Sequence, residues 1–259
     1  MIKLFNRIRE KSVSKGQFGK YLVYAIGEIF LVVIGILIAL QVNNWNENQK
    51  EFQRSIKLLQ NLKEELFQDS MYFNNVYTAE KDLFLQASEE LFRIHNPDYI
   101  LQPGDSTVKL AFRYACFTPV IKYSDNAYKE LMSSDLINQI SSERLKHNLH
   151  EYYGQVKFLN SYSEQSFQLS NSLIMELAEY YEVIPGKNPN SRSISEFSGA
   201  AEDEFSTIYD LESFRENRSL NPKLYDMIDI HKDRLGGLEI VKKLARLIQT
   251  DIDKELRTN

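Results

Sequence analysis

The chain has one cysteine, one tryptophan, four histidines, six prolines and ten glycines in 259 residues. A single thiol, Cys116, excludes an intramolecular disulfide, and its place far down the chain excludes a lipoprotein-type N-terminal cysteine. No histidine stands near it in sequence to act as a base, so it reads as a small buried apolar residue. The prolines and glycines are gathered in a handful of clusters, which leaves room for long uninterrupted elements between them. No Walker loop, no Gly-rich dinucleotide turn, no HExxH pattern and no basic aromatic platform occur. The sequence also lacks strand-like alternation of useful length and any repeat at solenoid period. With no catalytic motif, the chain is read as a non-enzyme, and no cofactor is expected.

What the chain does have is one unbroken apolar run, residues 21–42, YLVYAIGEIFLVVIGILIALQV, with a single ionisable side chain, Glu28. At about 1.5 Å per residue this makes roughly 33 Å of helix, enough for a hydrocarbon core of about 30 Å. The run is too long for a cleaved leader, and its exit through Leu40-Gln41-Val42-Asn43-Asn44-Trp45 offers no Ala-x-Ala site. It is therefore an expected signal anchor. The tail before it takes six of the chain's 31 Lys and Arg and one of its 36 Asp and Glu. With Glu28 also set aside, residues 43–259 hold 25 bases against 34 acids, a formal −9. Bases beside a span stay in the cytoplasm, so the sequence predicts an inner-membrane protein with its N-terminus inside and its bulk in the periplasm. The acidic outer part argues against nucleic acid as a partner. Residues 2–12 also have the spacing of a short amphipathic helix on the inner leaflet.

Glu28 shares a helical stripe with Leu31, Gly35, Ala39 and Val42. A carboxylate at mid-bilayer costs about 2.5–3.5 kcal/mol, and a small-xxx-small pair lets a second backbone approach closely. Glu28, Gly35 and Ala39 therefore form a candidate transmembrane interface, with another copy or with another membrane protein. The alternative is a lone glutamate reaching for the headgroups on a monomeric anchor.

Past the anchor, Trp45, Phe52, Leu59, Leu66 and Phe73 continue a spacing of sevens from Leu31 and Ile38, and a three-four rhythm persists to His95. A coiled-coil stalk has this pattern. Polar residues at the second seam position (Gln49, Lys63, Ser70) favour a helix packed on its own domain instead. Asn96-Pro97 ends it. A short helix from Asp105 or Ser106 to Cys116 is expected, then another over Asp125–Met132. Ser142 caps a long helix to about Val183. Pro185 to Ser193 reads as loop, a helical turn or two as 201–217, and Asn221-Pro222 as the start of a last long helix that Gly236-Gly237 can bend. The predicted plan is all-α: a basic tail (1–20), a transmembrane helix (21–42), a membrane-proximal helix (43–95) and the remainder of an antiparallel helical bundle (96–259).

His147 and His150, with Glu143 a turn away, lack the further ligands and supporting shell of a zinc site and read as surface histidines. Tyr152-Tyr153 and Tyr180-Tyr181 each turn one ring inward; such rings can line a ligand pocket, though core packing explains most of them.

The run YAIGEIFLVVIGILIALQVNNWNE, residues 24–47, resembles the opening of an uncharacterised family of single-span proteins in Bacteroidota, a domain of unknown function. Tyr128-Lys129-Glu130-Leu131-Met132-Ser133-Ser134 with Leu136-Ile137, then Leu145 and Tyr152-Tyr153, is similar to that family's central motif. Members tend to have glycine after the paired serines, where this chain has Asp135, so a tight turn there is not assured. The resemblance implies a membrane-anchored helical protein and supplies no reaction or ligand. Tyr128, Leu131, Ser133 and Ser134 are the candidate functional surface, against the alternative of a junction needed only for packing. The expected function is a periplasmic helical domain that binds a partner or small ligand, or an accessory subunit of a membrane complex joined through Glu28, Gly35 and Ala39. The expected partners are the bilayer and a second copy or another membrane protein.

Overall fold

Three long helical stretches, short helices between them and one small hairpin make up the described residues, 18–101, 107–185 and 205–258, in a computed structural model. Residues 1–17, 102–106, 186–204 and 259, and with them the readings of 2–12 as an amphipathic helix and of most of 185–193 as loop, lie outside the described residues. The chain divides into two units, residues 1–57 and 58–259.

In the first unit, helix α1 (Phe18–Ala79) begins and carries the apolar run. None of the described side chains of that run, residues 22–42, is buried: Leu31 and Val23 are each 70% exposed and Phe30 63%. A core helix of a soluble protein would bury one face. This helix is long and apolar enough to cross a membrane.

In the second unit, α1 continues through a π-helical turn (Glu80–Phe84) into α2 (Leu85–His95). Phe73, Val76, Glu80, Phe84 and Ala87, on either side of this turn and within it, are all buried. Asn96 ends α2 in extended conformation before Pro97. Arg215 then donates to the Ile94 and Tyr99 carbonyls at 2.8 and 2.9 Å.

Short helices α3 (Thr107–Tyr114) and α4 (Asn126–Ser133) follow. Two long helices, α5 (Glu143–Leu177) and α7 (Leu220–Thr258), complete the bundle, with α6 (Leu211–Glu216) between them. Ser142 caps α5 by accepting from the Leu145 amide at 3.2 Å.

The core is in two parts. One cluster joins Leu59, Leu62, Leu66 and Phe73 of α1 with Leu131, the first half of α5 and the second half of α7. The other joins Leu91 and Ile94 of α2 with Ala111, Leu173 and Leu177 of α5, and the first turns of α7. Helices α1–α2 and α5 thus run from the first cluster to the second, and α7 returns antiparallel to both. The connection through α3 and α4 carries the chain back to where α5 starts.

Two sequence expectations are corrected. Helix α5 stops at Leu177, not near Val183, and passes through a 3-10 turn into β1 (Tyr181–Pro185), which pairs antiparallel with β2 (Phe205–Tyr209), Tyr181 opposite Tyr209. No strand was expected, and the hairpin corrects that; α6 supplies the helical turn or two expected within 201–217. Seven β-branched or aromatic residues make the two strands, but each strand is too short to show alternation. The rings of Tyr181 and Tyr209 pack on Phe112 at 6.0 and 4.9 Å.

Helix α7 runs unbroken through Gly236-Gly237. A Cβ on Gly237 would lie 2.7 Å from Leu159 Cδ1, so this glycine serves close approach of α5 and α7.

Candidate functional site

The four residues of the candidate surface divide. Leu131 is fully buried in the first core cluster. Ser133 and Ser134 donate back to the Glu130 carbonyl of their own helix, at 3.4 and 2.5 Å. Asp135 adopts the left-handed conformation, φ 60° and ψ 10°, and accepts from Asn138 Nδ2 at 2.7 Å. The tight turn forms with aspartate in the place of glycine.

Ser133 is exposed, whereas Tyr128 is half-buried against the first core cluster and meets other elements. Its ring stacks on Tyr153 with centroids 4.1 Å apart, and its hydroxyl lies 3.1 Å from His150 Nδ1. His147 is paired only with Glu151, at 3.7 Å. Among the described residues no three His, Cys, Asp or Glu side chains are placed to hold a metal ion.

Behind this surface lies an acidic junction between α1, α4 and α5. Glu65 takes the Ala127 amide with both oxygens at 3.3 Å, capping α4 where Asp125 does not. Asp69 accepts from the Ser124 amide at 3.1 and 3.2 Å and from the Tyr152 hydroxyl at 3.2 Å. Burial raises Asp69 from 3.8 to about 6; the two hydrogen bonds oppose this, and Glu65 and Asp125 add to it. Burial likewise pushes the Tyr152 and Tyr153 hydroxyls far up, so both rings stay neutral. Cys116, pushed up to about 12 by burial, is an inert thiol.

Between the two hydrophobic clusters runs a polar belt. Glu80, His231 and Arg234 are all wholly buried. Glu80 Oε1 accepts from Arg234 Nε at 3.0 Å and meets His231 Nδ1 at 2.6 Å. His231 Nε2 donates to the Ala115 carbonyl at 2.8 Å, and Arg234 donates to Ser163 Oγ at 2.5 Å and the Pro119 carbonyl at 2.8 Å. A carbonyl can only accept, so Nε2 carries a hydrogen. This belt ties the π-turn, that segment, α5 and α7 to one another. His231 and Arg234 stood one turn apart inside an apolar stripe, a signal of a buried polar pair that the sequence reading did not use; nothing near Glu80 pointed to it.

On the outer side of the π-turn, α2 and α3 enclose a cleft of about 310 Å³. Its floor is apolar, with Leu83, Ala87, Leu110 and Ala111. Its rim carries Asp82, Glu89 and Glu90 against one base, Arg93. Arg93 is held by Glu90 at 2.8 Å, which also accepts from the Tyr99 hydroxyl at 2.7 Å, and reaches Glu89 only at 3.8 Å. Pi-helical turns recur at functional sites.

In the first unit, Glu28 is exposed and nothing lies within 4 Å of a Cβ added to Gly35. Gly35 and Ala39 lie one turn apart on an open helix face.

Comparison with protein families places a family of unknown function, DUF6090, over residues 28–161, just over half of the chain. The chain belongs to the DUF6090 family. The DUF6090 match takes in Glu28, Gly35 and Ala39, the Tyr128–Ser134 motif, and the cleft and Glu80 on one side of the polar belt. It ends within α5, before Ser163, His231 and Arg234. No curated protein and no solved structure matches this DUF6090 chain.

Proposed function

We propose that this DUF6090 protein is a non-enzymatic, single-pass inner-membrane protein whose helical domain stands in the periplasm and binds a partner or small ligand. The observation that carries this reading is an apolar helix of spanning length with none of its described side chains buried, in a chain whose remaining residues build their own core. The excess of bases before the span and of acids after it supports the orientation. A binding role is favoured by a cleft lined by apolar and charged side chains. Reporter fusions test it. Alkaline phosphatase fused after residue 259 is expected to be active and a fluorescent cytosolic reporter there to be dark; the reverse pattern overturns the orientation.

The second reading, an accessory subunit of a membrane complex, is favoured by the open face of Glu28, Gly35 and Ala39. Pull-down from solubilised membranes is expected to lose partners on Glu28→Gln and Gly35→Leu. Unchanged membrane partners in both variants would end that reading.

A further inference from the structure

We infer that the groove between α1 and α7 at Ser70 and Gln249 is a binding site for a phosphoryl group, carried by inorganic phosphate or by a phosphate monoester. This names a ligand class for the binding role proposed above and rests on that role, at a place other than the cleft.

Two contacts lay the groove out. Lys63 of α1 bonds Asp253 of α7 at 2.5 Å, and Lys242 of α7 lies 4.0 Å from the centre of the Tyr77 ring of α1. The helices are antiparallel, so α1 between Lys63 and Tyr77 runs along α7 between Asp253 and Lys242. Ser70 is seven residues from Lys63 and from Tyr77, and Gln249 is seven from Lys242. Steps of three, four and seven return to one helix face. Ser70 therefore shares a face with Lys63 and Tyr77, and Arg246 and Gln249 share one with Lys242 and Asp253.

The middle of this groove holds donors and positive charge without an acceptor. Ser70 Oγ and Gln249 Nε2 are both closed to solvent and have no hydrogen-bond partner among the described residues. Buried polar groups in folded proteins are nearly always answered, because an unanswered one costs the free energy of its lost hydration. The charges beside them are Lys242 and Arg246, and neither forms an ion pair among the described residues. Asp253, the acid nearest Gln249 on that face, is taken by Lys63. Burial and the Arg246 charge hold the Lys242 ammonium below its ordinary range, with Glu239 opposing.

These groups select the ligand. Water would answer the two donors and leave both cations as they are, and a metal ion would be repelled. A phosphoryl group brings about −1.5 to −2 charge and three strong acceptor oxygens, which lysine and arginine bond with the help of charge. Arg246 is exposed and Lys242 half-buried, so the site is reached from solvent at its cationic side.

The test is calorimetric titration of the full chain in maltoside micelles, in phosphate-free buffer at fixed ionic strength, with inorganic phosphate, glycerol phosphate and acetate. Saturable binding of phosphate or glycerol phosphate at one per chain is expected, and the tighter of the two says whether the group is taken free or as an ester. Lys242→Gln and Arg246→Gln are each expected to weaken it at least tenfold. Lys232→Gln, an exposed base ten residues from Lys242 on α7, is expected to change nothing. Ser70→Ala and Gln249→Leu are expected to weaken binding at least threefold without lowering the melting temperature of the free protein, since each removes a buried donor that the fold leaves unanswered. No saturable binding of either phosphate compound overturns the assignment, as does acetate binding equally tightly or a loss in Lys232→Gln as large as in Lys242→Gln. Full affinity in both Ser70→Ala and Gln249→Leu also overturns it, and so does a fall in melting temperature in both, which would mean that the fold itself answers these donors. If phosphate fails while the reporter remains periplasmic, the ligand class falls and the membrane-anchored domain stands. A cytosolic reporter removes the broader reading whatever calorimetry shows.

Discussion

Glu80 Oε1 and His231 Nδ1 lie 2.6 Å apart in a place wholly closed to water, 151 residues apart in sequence. Charges so placed are stabilising only while each has its partner, because desolvation of an ion costs several kcal/mol.

The first expected outcome concerns that dependence. Glu80→Gln leaves Arg234 and the imidazole buried without a carboxylate and is expected to destabilise the domain by about 3–5 kcal/mol. Replacing Glu80, His231 and Arg234 together by Leu, Leu and Met is expected to cost much less, since no charge is then stranded. Urea unfolding followed by circular dichroism compares the two. A single variant no worse than the triple would show that the belt is not a coupled unit.

Asp69 gives a pH dependence with a definite sign. Its carboxyl is raised by burial from 3.8 to about 6, so between about pH 4 and 6 the folded state binds a proton that the unfolded state has released. Its contribution to stability is therefore full below about pH 4 and is lost as pH rises through 6. Asp69→Asn retains an acceptor for the Ser124 amide and has no such titration. The difference in urea midpoint between Asp69→Asn and wild type is expected to grow in the variant's favour from pH 4 to pH 7. A constant difference would mean that Asp69 titrates normally.

The helical plan was legible because core residues recur at three and four. Leu59, Leu66 and Phe73, which carry the spacing of sevens, are all buried. What holds the helices together was not legible. Glu65 caps α4 from 62 residues away, and Glu255 takes the Ser141 and Ser142 amides ahead of α5 from more than a hundred. In a linear reading these are ordinary surface acids on amphipathic helices, since only the packed bundle brings a carboxylate to a helix start. Of the candidate site, Leu131 belongs to the core, the serines bond back to their own helix, and Tyr128 packs half-buried on Tyr153. The cleft could not be seen, because its apolar residues come from the π-turn, α2 and α3, whose pairing no local pattern specifies.

Adjacent glycines on α7 separate two physical effects. Nothing lies within 4 Å of a Cβ on Gly236, so Gly236→Ala gains helix propensity alone and is expected to stabilise by about 0.5–1 kcal/mol. On Gly237 the same methyl meets Leu159 Cδ1 at 2.7 Å in the core, and the side chain must repack. Gly237→Ala is therefore expected to fall below Gly236→Ala in urea midpoint, by about 1 kcal/mol or more once overpacking offsets propensity. Equal midpoints would show that α5 and α7 have room to part.

The turn after the paired serines can be tested by what replaces Asp135. A left-handed conformation costs an ordinary L residue about 1–2 kcal/mol, and aspartate offsets part of that through a local hydrogen bond, here from Asn138 Nδ2 at 2.7 Å. Glycine has no such strain but forfeits that bond and adds freedom to the unfolded chain, so Asp135→Gly is expected to lie within about 0.5 kcal/mol of wild type. Asp135→Ala keeps the strain without the bond and is expected to lose about 1 kcal/mol. The ordering of Gly above Ala in thermal or urea unfolding is the decisive reading. If the alanine variant matched the glycine one, the left-handed turn could not be what joins α4 to the helix that follows.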